Sequence, residues 1–199
     1  MKALLLKDFY VVTKQLRIFL FVIPFLAIFA EGMVSTFAIF LGAALPMTAI
    51  AYDEHSKWNE FATMMPYSKF EIIFSKYLLS YLSILGASIF VFIGRKIATL
   101  LNLGSSYIGI EVILFSIIGA LVFTAINNPI YLKFGSEKGR FVFIGVMALI
   151  GASDSFFNNI DLSAFLQNRN AIYIILIIAS IALNVASIYI SIKISNVNK

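Results

Sequence analysis

The stretch Met33–Tyr52, MVSTFAIFLGAALPMTAIAY, runs twenty residues without a charge, and residues 53–76, DEHSKWNEFATMMPYSKFEIIFSK, interrupt it abruptly. The first reads as a helix that crosses a bilayer, since about 20 apolar residues span the hydrocarbon layer. The second is a polar island. It holds seven of the chain's 25 charged side chains, together with its single histidine, His55, and single tryptophan, Trp58. Ile72–Ile93 then returns to apolar sequence. So much polarity between two spans suggests a loop built to meet a soluble partner.

Outward from this loop the chain is 61% hydrophobic and 13% charged, with mean hydropathy +0.95. Globular domains hold about 45–50% apolar and about 25% charged residues. A soluble core cannot hide this excess, so the fold class is an all-α integral membrane protein, one domain over residues 1–199. A β-barrel is disfavoured because the apolar runs are continuous rather than alternating. With no cysteine there is no disulfide, thiolate nucleophile or thiolate metal site. A single histidine rules out a multi-histidine metal centre within one chain. The first residues do not read as a cleaved leader, because Asp8 breaks the basic region and further spans follow.

Six transmembrane helices are expected: Leu16–Ala30, Met33–Tyr52, Ile72–Ile93, Tyr107–Ile126, Phe141–Ser153 and Ala171–Ile192. The first and fifth are short. Pro24 and Pro46 can bend the first two, because neighbouring helices re-satisfy the backbone. Asn127-Asn128-Pro129 reads as a helix stop. Six spans place both termini on one side with the polar island. That side carries 12 of the 15 Lys and Arg residues, so the positive-inside rule makes it cytoplasmic. The net charge of +5 is thereby explained without nucleic acid. On the opposite side Glu31-Gly32 is a tight tip, Gly94–Ser106 a modest loop, and residues 154–170 a half-apolar interfacial loop. Glu31, Glu111 and Asp154 read as solvated loop charges.

Residues 1–15 form an expected amphipathic interfacial helix. Leu5, Phe9, Val12 and Leu16 share one face, and Lys7, Asp8, Lys14 and Gln15 another. Within the loop of residues 53–71, Trp58, Phe61, Ala62 and Met65 fall at helical spacing, an apolar stripe stopped at Pro66. Ser68 and Glu71 form the S-x-x-E pattern of a capping box that starts the third span. The stripe has two readings: it lies on the membrane surface, or it docks into a groove of a soluble partner. Gly42, Ala43 and Ala44, and likewise Gly145 and Gly151, permit close helix approach, between two chains or within one.

The residues Asp53-Glu54, Trp58-Asn59-Glu60, Met65-Pro66-Tyr67-Ser68, Glu71 and Lys76 resemble the cytoplasmic loop of ABC-2-type permeases. The closest resemblance is to small bacterial peptide-exporter permeases such as those of phenol-soluble modulin exporters. The glycine common in that loop is absent, and Trp58 stands near its place. The resemblance implies a coupling helix between the second and third spans, with Glu54, Lys57, Trp58, Phe61, Ala62 and Met65 docking into a separate ATP-binding subunit. It implies two permease chains, alternating access, and export of amphipathic peptides or other hydrophobic cargo across the cell membrane. ATP and magnesium would bind in the partner. This chain has no G-x-x-x-x-G-K-[ST] phosphate loop and no catalytic motif, so no enzymatic activity or cofactor is expected in it. A secondary transporter or channel, or an intramembrane enzyme, is the alternative reading.

Overall fold

In the computed structural model, which describes residues 2–15, 17–29, 33–101, 110–157 and 169–197, the chain is helical throughout its ordered elements. They are α1 (Lys2–Gln15), α2 (Arg17–Phe29), α3 (Met33–His55), α4 (Trp58–Thr63), α5 (Lys69–Leu100), α6 (Ile110–Phe157) and α7 (Arg169–Val197). Among the described residues there is no strand. Four helical stretches are long and apolar enough to cross a membrane: Phe37–His55, Lys69–Leu100, Val112–Phe141 and Tyr173–Ile194. A fifth joins them if α1 and α2, bent by 77° from each other, count as one span. Alone, the 13 residues of α2 cover only about 20 Å at ~1.5 Å per residue, short of the hydrocarbon layer.

Helix α3 is central and packs against α2, α5 and α6, with α7 laid on α6. Ile39, Ala43, Met47 and Ile50 of α3 meet Leu79, Ile84 and Val91 of α5 and Phe123 of α6 in one buried cluster. Gly42 sets the spacing. A Cβ there would lie 2.7 Å from the Ala87 Cβ and 3.0 Å from the Ser83 carbonyl oxygen. The small residues of α3 are therefore used within the chain. In α5, Gly94 serves α2 in the same way, with Ala27 2.8 Å from its missing Cβ.

Helix α6 corrects two expectations. Asn127-Asn128-Pro129 is not a helix stop, because the helix continues to Gly135. Pro129 has no N–H for the carbonyl four residues back, Ala125. That carbonyl instead accepts a 2.6 Å hydrogen bond from the Ser187 hydroxyl of α7. The turn expected between the fourth and fifth spans is a single residue, Gly135, at φ 78° and ψ 174°. A Cβ built at Gly139 would lie 3.0 Å from Cγ of Tyr131. Eight residues of straight helix would separate these positions by about 12 Å, so the chain bends sharply at Gly135, between the 110–134 and 136–157 limbs of α6.

Two further boundaries move. The expected outer loop from Gly94 is helical as far as Leu100, with Lys96 Nζ 4.9 Å above the Phe92 ring and Arg95 buried. Of the expected loop 154–170, Asp154–Phe157 completes α6 and Arg169–Asn170 opens α7, and the remainder lies outside the described residues, as does Glu31-Gly32.

Helix α7 buries a polar stripe, Ser180, Asn184, Ser187 and Ser191, while Ile175, Ile178, Val185 and Tyr189 face outward. Such an arrangement suits lipid, where hydrogen bonds rather than apolar burial hold helices together. Tyr77 shares its hydroxyl with Ser187 (2.6 Å) and Ser191 (2.8 Å). The Asn184 amide donates to the Leu121 carbonyl at 3.1 Å and its oxygen accepts from Tyr81 at 3.1 Å.

Candidate functional site: the charged junction and the short helix

The polar island opens where α3 ends, and its first residue is buried. Asp53 meets Lys76 of α5, two helices later, and both meet the N-terminal helix. Lys76 Nζ lies 2.5 Å from Asp53 Oδ2 and 2.6 Å from Asp8 Oδ1. Lys7 Nζ lies 2.6 Å from Asp53 Oδ1 and 3.0 Å from Asp8 Oδ1. Two cations and two carboxylates thus pin α1, α3 and α5 together at one end of the bundle. The Asp8, Asp53 and Lys76 side chains are nearly inaccessible, at 1%, 7% and 5% exposure. Burying charge costs several kcal/mol per ion, and only mutual pairing and hydrogen bonds offset it. Asp8 Oδ2 has no hydrogen-bond partner among the described residues, so the junction is polar but not saturated.

Leu5, Phe9 and Val12 share one face of α1, as expected, and line one cavity, whereas Leu16 lies outside the described residues. The correction concerns Asp8, which joins Leu4 and Val12 in a buried stripe at spacing i, i+4, i+8. Asp8 does not lie on a solvated face, because the Lys76 ammonium draws it into the bundle.

The junction reaches the short helix α4 through Lys7, whose Nζ sits 4.3 Å from the centroid of the Trp58 ring. A cation over an indole face is the strongest form of this contact. Helix α4 begins after Lys57, held in the left-handed region at φ 53°, and ends before Pro66. Ala62 is its buried foot on the body of the protein, whereas Phe61, Met64 and Met65 are exposed. Trp58, Phe61 and Met65 line a cavity of about 410 Å³ together with Lys7, Val11 and Tyr52.

Ser68 and Glu71 make the expected capping box. The Glu71 N–H donates to Ser68 Oγ at 3.2 Å, and the Ser68 N–H donates to Glu71 Oε2 at 3.1 Å. Two turns later the same helix presents Lys76 to the junction.

Among the six residues expected to dock, Trp58, Phe61, Ala62 and Met65 share α4 or its exit, with Ala62 turned inward. Lys57 is exposed at its start. Glu54 points elsewhere: its Oε2 accepts from the Ser136 N–H at 2.6 Å, capping the second limb of α6. Lys7 and Asp8 were not read as site residues. The one signal in the sequence was a lone acid at the centre of the stripe Leu4–Asp8–Val12, and its partner is visible only in the fold.

A family model described as ABC-2 family transporter protein matches residues 3–196. The chain belongs to the ABC-2 transporter family. As an ABC-2 permease it is a multi-pass membrane protein, and the family implies an ATP-binding partner. No curated protein and no solved structure matches the chain significantly.

Proposed function

We propose that this ABC-2 permease is the transmembrane subunit of an ATP-driven exporter, and that α4 is its coupling helix. ATP binding and hydrolysis take place in a separate subunit, which holds the nucleotide and magnesium. Its cleft receives Trp58, Phe61 and Met65, with Lys57 at the rim. Six spans are counted as α2, α3, α5, the two limbs of α6, and α7, with α1 at the interface and the short α2 accommodated by local thinning of the bilayer. Both termini and α4 lie in the cytoplasm, by the distribution of Lys and Arg. Two permease chains pair around the path. A path lined by apolar and aromatic side chains favours amphipathic peptides or other hydrophobic cargo over ions.

The observation that carries this reading is the connection of α4. A short helix with exposed Phe61, Met64 and Met65 is joined through Trp58 and Lys7 to a buried charge cluster on three other helices. Force on α4 thus reaches α1, α3 and α5 together. Trp58→Ala and Phe61→Ala should leave membrane insertion intact and weaken co-purification with the ATP-binding subunit, with transport lost. Undiminished co-purification of both variants would overturn the docking role.

A further inference from the structure

In the angle between α1 and α2 a second cavity opens on the flank of the bundle, about 570 Å³ in volume and away from α4. That is the size of a small-molecule site, roughly 300–1,000 Å³. Its walls include Phe9 and Val12 of α1, Pro24 of α2, and Leu82, Gly86 and Phe90 of α5. Two hydroxyls reach it, and both are already used by their own helices. Thr13 Oγ1 donates to the Phe9 carbonyl at 2.9 Å, and Ser83 Oγ to the Ser80 carbonyl at 2.9 Å. The groove therefore offers an occupant no free side-chain hydroxyl donor, and its walls are otherwise almost wholly hydrocarbon. The groove is open at Gly86, where a Cβ would meet nothing within 4 Å, so only a side chain larger than a methyl would fill it.

Length and charge select the occupant. The groove follows α5 from Leu79 to Phe90, about 16 Å at ~1.5 Å per residue. That is half of the ~30 Å hydrocarbon core, the reach of one leaflet's acyl chain. The exposed cations nearest to it in sequence are Lys14, which follows the lining residue Thr13 and faces an adjoining cavity with Leu6 and Tyr10, and Arg17, which opens α2. Basic side chains at a membrane surface attract anionic head groups.

We propose that this groove is a binding site for an anionic phospholipid, with one acyl chain along α5 and its phosphate at Lys14 and Arg17. The bound chain fills the wedge beneath α1 and supports that helix where it carries Asp8 into the charged junction. The proposal does not depend on the docking role of α4.

The test uses the purified full chain in nanodiscs of equal phosphatidylglycerol and phosphatidylcholine, with retained lipid counted by native mass spectrometry after detergent transfer. Wild type should retain phosphatidylglycerol preferentially. Gly86→Leu should lose retained lipid several-fold, while Gly86→Ala, whose methyl enters open space, keeps it. The double variant Lys14→Ala/Arg17→Ala should still retain lipid but without preference for phosphatidylglycerol. Absence of retained lipid in wild type, or retention by a folded Gly86→Leu equal to wild type, overturns the proposal. Because the chain has no cysteine, Gly86→Cys adds a decisive control. Efficient disulfide formation between two chains at that position would mean that a second copy covers the groove, and would overturn it even if Gly86→Leu fails to fold.

Discussion

Lys76 of α5 and Asp8 of α1, 68 residues apart in sequence, form a buried ion pair of 2.6 Å. This pair ties the N-terminal helix to the start of the span that follows the polar island. Lys76→Met removes the cation and leaves Asp8 and Asp53 buried with only Lys7 nearby. Breaking a buried pair by deleting one partner costs about 3–5 kcal/mol, with Lys7 holding the loss toward the lower end. Asp8→Asn combined with Lys76→Met leaves the Lys7–Asp53 pair and restores neutrality. The double variant should recover a substantial part of the loss. SDS-titrated unfolding of the purified chain reads both, and a Lys76→Met curve equal to wild type would refute the assignment.

Gly135 should not accept a side chain. Its φ of 78° and ψ of 174° lie in a region that only glycine occupies readily. An added Cβ would also lie 2.5 Å from Glu54 Oε1. Gly135→Ala is expected to cost on the order of 1–3 kcal/mol for the backbone, plus displacement of the Glu54 cap from Ser136. Glu54→Ala relieves the contact but not the backbone strain. The double variant should therefore be less destabilised than the two single losses predict together, though still below wild type.

Features of residues 53–76 that depend on neighbours within a few residues were legible: the turn before Pro66 and the Ser68/Glu71 box form as the spacing implies. The stripe forms only in part, since α4 ends at Thr63, Ala62 is buried away from the exposed Phe61, and Met65 lies beyond the helix. The failures involve partners far along the chain. Nothing near Asp8 tells that Lys76 will meet it. Asn127-Asn128-Pro129 looked like a stop because Ser187, which satisfies the carbonyl that Pro129 leaves open, lies some sixty residues away. Glu54 seemed free to dock because its acceptor role serves Ser136, 82 residues away beside the bend at Gly135. In α7 the spacing of Ser180, Asn184, Ser187 and Ser191 was visible as a helical stripe, yet hydropathy weighs the whole helix and hides a polar face inside an apolar one.

The Ser187–Ala125 bond gives a test of how lipid-embedded helices tolerate proline. Ser187→Ala leaves the Ala125 carbonyl without its hydroxyl donor and removes one partner of the Tyr77 hydroxyl. The loss should be about 0.6–1.7 kcal/mol, the scale of hydrogen bonds between membrane helices. Pro129→Ala supplies an N–H that can reach the same carbonyl within α6. In that background Ser187→Ala should cost distinctly less. Equal costs in both backgrounds would show that Ser187 does not compensate for Pro129.

The capping box couples the loop to the span below it, so its two residues should act as a unit. Ser68→Ala leaves the Glu71 N–H uncapped at the start of a 32-residue helix, and should cost about 0.5–2 kcal/mol. Glu71→Ala removes the reciprocal bond to the Ser68 N–H and an acid from the first turn, where the helix dipole favours it by about 0.3–1 kcal/mol. Because each bond orients the other, the double variant should lose less than the sum of the singles, an interaction of at least ~0.5 kcal/mol for groups in direct contact. Fraying of the first turn lies two turns from Lys76 and does not reach the buried junction. Hydrogen exchange should therefore accelerate at residues 69–72 while protection at 76–80 persists. Loss of protection across both stretches would mean that the box, rather than the ion cluster, anchors the base of α5.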